Sequence, residues 1–224
     1  ALRYVAIAMT NLLRVNVGCG ATPTPGFTNF DNSLTVRLAR RPLLLTALQR
    51  LRVVGGEQVA FAREARAGGV RWASAMQLPL ADSSCEIVYS SHMFEHLRRD
   101  DATRFLAEAR RVLTRGAWLR LAVPDLQRMV TRYVESHDAD ALVGATLLAD
   151  PSDRGLRGRV RHLMVGNRHH AWMYDAASLV RAVEQAGFRD ASAVPPGTTR
   201  IPEPGALDLR EREGESVFVE AVRA

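Results

Sequence analysis

The feature that most constrains this chain is an alternation. Short apolar runs bounded by turn residues alternate with segments of helical period, the pattern of an α/β fold around a mainly parallel sheet. Strands are expected at residues 12–17, 28–30 leading into Asp31, 70–73, 86–90 and 118–123, then near 191–194 and at 216–222.

The intervening segments carry helix signals. Residues 101–114 place Phe105, Leu106, Ala109, Val112 and Leu113 on one stripe, with Gly116 as a C-terminal stop. Asp125 can cap a helix whose Leu126, Met129, Val130, Tyr133 and Val134 repeat at core-facing spacing, which assigns Met129 to the core. Asp175 can cap another, carrying Leu179, Val180, Val183 and Ala186 and closed by Gly187 before Phe188. Pro195 and Pro196 suit a strand end, so the last two strands belong toward one edge, joined by a long loop. The expected fold is a single-domain, doubly wound, mostly parallel seven-stranded sheet with an antiparallel last strand and a helical insertion after strand 2. Residues 1–11 read as an N-terminal extension and 12–224 as the domain.

Composition removes several function classes. The length of 224 residues fits one ordinary domain, burying about 70% of its unfolded surface. Cys19 and Cys85 are too few for a disulfide framework and lack zinc-type spacing, which favours a reducing, cytoplasmic home. No run of eighteen apolar residues exists, so no membrane segment is expected. The net charge of +6 comes from 30 arginines spread along nearly every segment, a composition bias more than a nucleic-acid track. The one local cluster, Arg154, Arg157, Arg159 and Arg161, could meet a phosphate but reads first as a solvated face.

The first strand ends in Gly18-Cys19-Gly20, which lets backbone approach a ligand closely. A dinucleotide fingerprint needs a third small residue opening a helix. Pro23 stands there instead, with Pro25 and Gly26 following, so no pyrophosphate cradle forms. Asp31, eleven residues beyond Gly20 and followed by Asn32 and Ser33, sits where a carboxylate can accept hydrogen bonds from both hydroxyls of a ribose. Together these favour a nucleoside cofactor without phosphates.

The most telling stretch runs from Ala75-Met76-Gln77-Leu78-Pro79 through Ile87-Val88-Tyr89-Ser90-Ser91-His92. With Arg110 to Leu113 before Gly116, Ala122-Val123-Pro124-Asp125, and Ala186-Gly187-Phe188, it resembles the class I, Rossmann-like S-adenosylmethionine-dependent methyltransferases. The likeness is greatest to a small, type 11-like branch in which a short proline-bearing loop replaces the usual first helix. The resemblance implies S-adenosyl-L-methionine as cofactor and S-adenosyl-L-homocysteine as product. It implies that Val17 and Gly18 to Gly20 meet the methionine part, and Asp31 with Asn32 the ribose. Ser74, Ala75 and Met76 would meet the adenine, and Ser91 with His92 the sulfonium side. The third family glycine is absent, and Ser74 stands where the family often has an acidic residue.

His92-Met93-Phe94-Glu95-His96 also matches the H-x-x-E-H zinc-peptidase pattern, which needs a further ligand such as Glu184. Its place directly after a buried strand favours bracing of the strand-to-helix turn, so no metal is assigned. On the acceptor side, a helix returning from Asp175 must start at the sheet's carboxyl edge, where ligands of open α/β sheets bind. This gathers His169, His170, Trp172 and Tyr174, with His96 and Asp125, as substrate residues, and His92, His170 and Tyr174 as catalytic candidates. The insertion 36–69, with Leu44, Leu45, Leu48 and Leu51 at helical spacing, and the loop 197–214 are expected to wall the acceptor pocket.

The leading expectation is methyl transfer to a small-molecule acceptor, a natural-product or sugar-containing intermediate. Base-amine methylation of nucleic acid is disfavoured by Val123-Pro124-Asp125-Leu126 in place of an Asn/Asp-Pro-Pro-aromatic motif. A non-catalytic, cofactor-binding partner subunit is the reading from another class, and a homodimer is compatible with either.

Overall fold

The computed structural model describes residues 12–148 and 169–224. The expected extension at residues 1–11 and the arginine cluster from Arg154 to Arg161 lie outside them.

Seven strands form one sheet: β1 (Leu13–Val17), β2 (Thr28–Asp31), β3 (Arg71–Trp72), β4 (Cys85–Ser91), β5 (Leu113–Pro124), β6 (Phe188–Val194) and β7 (Ser216–Arg223). Their order is β3-β2-β1-β4-β5-β7-β6. All pairings are parallel except those of β7, which runs antiparallel to both neighbours. The doubly wound sheet with an antiparallel last strand is therefore present. The order reverses between β1 and β4, and that is the switch point where ligands of such sheets bind.

Helices α1 (Leu34–Ala39), α2 (Pro42–Arg50) and α3 (Gly56–Ala67) make up the insertion, α4 (Arg99–Val112) precedes β5, and α5 (Leu126–Ser136) and α6 (Ala139–Thr146) follow it. The last described helix, α7 (Ala176–Gln185), leads into β6. Alternation along the strands divides the core. Val15, Val17, Val88, Leu119 and Leu121 pack with Phe105 and Leu106 of α4 and Leu179 and Val183 of α7. On β4 the intervening Ile87 and Tyr89 cluster instead with Phe27, Ile201 and Leu207, so the loop 197–214 covers sheet surface itself. Beneath that loop Arg120 and Glu220 form a fully buried ion pair. The Arg120 guanidinium also donates to the Thr198 carbonyl, and Glu220 accepts from Thr199 Oγ1 and Arg200 N–H.

The insertion has a small core of its own, from Leu38, Leu45, Val54 and Val59. Only Leu45 of the leucine series is buried in α2, while Leu51 lies just past the helix and is exposed. No helix separates β1 from β2. The loop there is held by Thr24 N–H donating to Asn29 Oδ1 (2.8 Å) and by Asn29 Nδ2 donating to the carbonyls of Thr24 and Phe27 (3.0 Å each).

Three expectations are corrected. Helix α4 stops at Val112, and Leu113 already pairs with Cys85 in β5. Gly116 is not a helix stop: with φ +79° it lies inside β5, where the register against β4 shifts. Helix α5 is capped by Asp125, which accepts from Gln127 N–H, yet none of its residues is buried, and Val130, Tyr133 and Val134 are exposed. Met129 therefore lies in no core; it lines a cavity beside His92. By contrast the cap of α7 is as expected, with Asp175 and Ser178 exchanging backbone hydrogen bonds and Gly187 at φ +85°.

Candidate active site

The carboxyl ends of β1, β2 and β4 open into a cavity of about 430 Å³. Gly18 and Gly20 both adopt left-handed backbone, φ +75° and +53°, which strains any L side chain. Their reasons for being glycine differ. A Cβ on Gly18 would lie 2.3 Å from Met93 Cγ, so Gly18 is fixed by the strand-to-helix turn after β4. A Cβ on Gly20 would meet nothing within 4 Å, because Gly20 faces the open cavity.

Asp31 closes β2 opposite these glycines. Its Oδ2 accepts from Gly20 N–H (3.1 Å) and its Oδ1 from Ser33 N–H (2.8 Å), which fixes the carboxylate at the cavity wall with lone pairs to spare. Asn32 beside it is held by the Trp72 indole, which donates to its carbonyl at 2.9 Å. Val17, Ala75, Met76 and His92 also line the cavity, as do Ala73, Met93 and Leu97. Cys19 does not: its thiol is buried against Val36, Ala65 and Val70, and burial, reinforced by the Asp31 charge, pushes it up to about 12. Ser74 and Ser91 are also outside the lining. Ser74 instead shapes the adjacent turn, its Oγ accepting from Met76 N–H. Leu78 N–H donates to Glu108 Oε1, tying that turn to α4.

Past β4 the chain turns through His92, at φ +48°, into a single 3-10 turn, Phe94–His96. His92 and His96 are thus not one α-helical turn apart, and Glu184 is exposed on α7, so the zinc-peptidase arrangement is not built. The Glu95 carbonyl accepts from Ala171 N–H and Trp172 N–H, and His96 Nδ1 bonds the His169 carbonyl at 2.9 Å. These bonds clamp residues 169–172 onto the 3-10 turn and bring His170 into the same cavity, whereas His169 contributes its backbone. Tyr174 is not brought there. It is 1% exposed, its ring lies 5.1 Å from that of Phe94, and burial raises its hydroxyl above the ordinary tyrosine value. Trp172 is also outside the lining, half exposed under the Arg99 guanidinium.

A second cavity of about 150 Å³ continues from the first, sharing His92, Leu147, His170 and Arg212 and reaching Asp125 and Met129. Arg212, at φ +48° in the loop before β7, escaped sequence reasoning because only the folded loop returns it to the sheet edge. Its NH1 lies 3.5 Å from His92 Nδ1. His92 Nε2 lies 2.9 Å from Ser216 Oγ, whose hydrogen is committed to the Glu211 carbonyl. His92 therefore carries its proton on Nε2 and keeps the Nδ1 lone pair.

Comparison with known proteins agrees with the fold. Residues 49–121 match a family model described as a methyltransferase domain. A methyltransferase from Thermotoga maritima, described as a possible histamine N-methyltransferase, superposes with a TM-score of 0.52 at 17% identity, over 97% of this chain and 84% of that one. A methyltransferase from Methanosarcina mazei gives 0.50 at 16%, over 96% and 93%. The complex of the Haloferax volcanii Trm112 methyltransferase activator with a methyltransferase gives 0.50 at 15%, over 96% and 85%. No curated protein matches. The matched segment is that of a methyltransferase domain, and the doubly wound sheet is the fold that these methyltransferase structures share. The open cavity facing a glycine turn and a strand-end carboxylate fits the S-adenosyl-L-methionine that the methyltransferase match implies. Among the described residues, no helix is long and apolar enough to cross a membrane.

Proposed function

We propose that the chain methylates a small-molecule acceptor bearing an anionic group. The supporting observation is the second cavity, which meets the first at His92, His170 and Arg212 and is lined by Arg132 and Arg212, by Arg128 paired to Asp125, and by Glu215 around a space of about 150 Å³. Such a chamber suits a compact molecule.

When bound, the cofactor supplies an electrophilic methyl group on a sulfonium. Asp31 accepts the ribose hydroxyls, and the Gly18 to Gly20 backbone lets the amino-acid end lie against β1. Arg212 holds the acceptor's negative charge, placing its nucleophile at the junction of the two cavities, and positioning of this kind contributes about 7–11 kcal/mol. His92 Nδ1 has the lone pair to take the acceptor's proton, which adds about 10²- to 10⁴-fold. The insertion 36–69, expected to wall the acceptor pocket, lines neither of these two cavities; Glu57, Gln58 and Phe61 of α3 instead line a further cavity that shares Gly20 and Asp31 with the first.

The test is methyl transfer from labelled S-adenosylmethionine to a panel of hydroxy acids, sugar acids and amines, beside RNA and DNA. Transfer to anionic small molecules is expected. Salt-dependent binding and methylation of RNA or DNA, with none of the small molecules modified, overturns the reading.

A further inference from the structure

Glu95 is 1% exposed, and neither of its carboxylate oxygens accepts a hydrogen bond among the described residues. A buried carboxylate left in that state costs several kcal/mol, so the fold must keep a positive partner for it. What surrounds it is imidazole. Its Oε1 lies 3.9 Å from His96 Nε2 and 3.9 Å from His170 Nε2, with His92 Nδ1 at 3.5 Å. His96 is oriented from behind. A carbonyl can only accept, so His96 Nδ1 carries a proton and Nε2 is the nitrogen turned toward Glu95.

We propose that Glu95, His96 and His170 form a binding site for one divalent transition-metal ion in the wall of the cofactor cavity, with open coordination positions that take an acceptor oxygen. The three ligand atoms lie within 4.8 Å of one another. Ligands each about 2.0–2.2 Å from a shared ion stand up to about 4.4 Å apart, so small side-chain rotations close the site. Two imidazoles and one carboxylate suit zinc, iron(II) or cobalt(II) and disfavour magnesium or calcium. The His96 bond to the His169 carbonyl is the outer-shell contact that metal-binding histidines keep. All three residues line the cavity, so the ion's remaining positions face the space shared with His92 and Arg212.

The site is distinct from the H-x-x-E-H arrangement, since His92 is bound to Ser216 and the third ligand is His170, seventy-four residues beyond His96. Its role toward the acceptor rests on the methyl-transfer reading. There the ion held by Glu95, His96 and His170 would polarise an acceptor oxygen, and His92 Nδ1 would stand beside it to accept the acceptor's proton.

The experiment uses the full chain, stripped with chelator and titrated with Co²⁺ followed by visible absorption, then with Zn²⁺ followed by calorimetry. One equivalent is expected to bind. Glu95→Gln and His170→Asn are each expected to weaken binding by at least the 10- to 100-fold typical of losing an outer-shell partner, and His137→Ala, on the exposed end of α5, to leave it unchanged. Calorimetry with S-adenosylhomocysteine runs beside each titration as the check on folding and on the cofactor site. Cofactor binding without stoichiometric metal overturns the metal site. Metal binding without cofactor binding sinks the methyl-transfer reading and leaves the metal site standing. Metal affinity equal to wild type in both ligand variants overturns the assignment of these residues.

Discussion

The two halves of the active site are built in opposite ways. The cofactor side comes from strand ends and their turns, and each residue's place follows from a neighbour a few positions away, as when Asp31 Oδ1 binds Ser33 N–H. The proposed acceptor side is gathered from four separate stretches: His92 to His96, Leu147, His170 and Arg212. Those stretches are held by long-range bonds such as Ala171 N–H to the Glu95 carbonyl and Leu126 N–H to the Tyr174 carbonyl. A local site tolerates change elsewhere; an assembled one inherits the stability of everything that assembles it.

The strongest break in that comparison lies under the loop that carries Arg212. Arg120→Met leaves Glu220 buried without its partner, and a loss of about 3–5 kcal/mol in denaturant unfolding is expected. Unchanged stability would mean that the loop is not held from below. On the cofactor side, Gly18→Ala combines a clash with Met93 and left-handed backbone for about 3 kcal/mol, whereas Gly20→Ala carries only the backbone strain of about 1–2 kcal/mol. Because Met93 Cβ also lies 2.6 Å from the added atom, the double variant Gly18→Ala/Met93→Gly should recover the steric part in thermal melts relative to Met93→Gly alone, and no recovery would sink the explanation by Met93.

Asp31→Asn removes charge-assisted bonds worth about 1.5–3 kcal/mol, so the cofactor Kd should rise roughly 10- to 100-fold by calorimetry while the acceptor KM stays put. Arg212→Ala should do the reverse, raising the acceptor KM about 10-fold and leaving cofactor affinity alone. If both variants shift both constants equally, the two halves are one site.

The smallest effect concerns Glu108, which ties the turn below Met76 to α4. Burial alone would raise its pKa, but hydrogen bonds from Arg111 and from Leu78 N–H, with the Arg111 charge, bring it below the ordinary glutamate value of 4.5. A lowered folded-state pKa means stability that is present above pH 4.5 and lost as pH falls through the folded value. Glu108→Gln should flatten the acid limb of a pH-stability curve, and an unaltered limb would remove Glu108 from this role.

The same contrast explains what the sequence could show. Strand positions and the place of Asp31 at the end of β2 are legible because periodicity and glycine spacing are local signals. The stripe on α5 misled because an amphipathic period says that a face is apolar, not that it is covered, and Val130 and Val134 are exposed. Gly116 was misread as a helix stop because left-handed glycine serves strand irregularities as well as helix ends. Tyr174 and His170 look equivalent in sequence, yet a clamp of two backbone bonds to Glu95 turns one into the cavity while the other packs on Phe94. Arg212 gave no signal at all, since nothing local marks one arginine among 30.

The place of β7 has a consequence for how the protein is made. It is the last strand in sequence but lies between β5 and β6, so neither of those can complete its pairing until it arrives. During synthesis β1 to β5 can assemble as residues leave the ribosome, while the β5 edge stays open to any other chain with a free strand. The cofactor half can thus take shape on the nascent chain, and the half carrying Arg212 must wait for residues 216–223 to emerge.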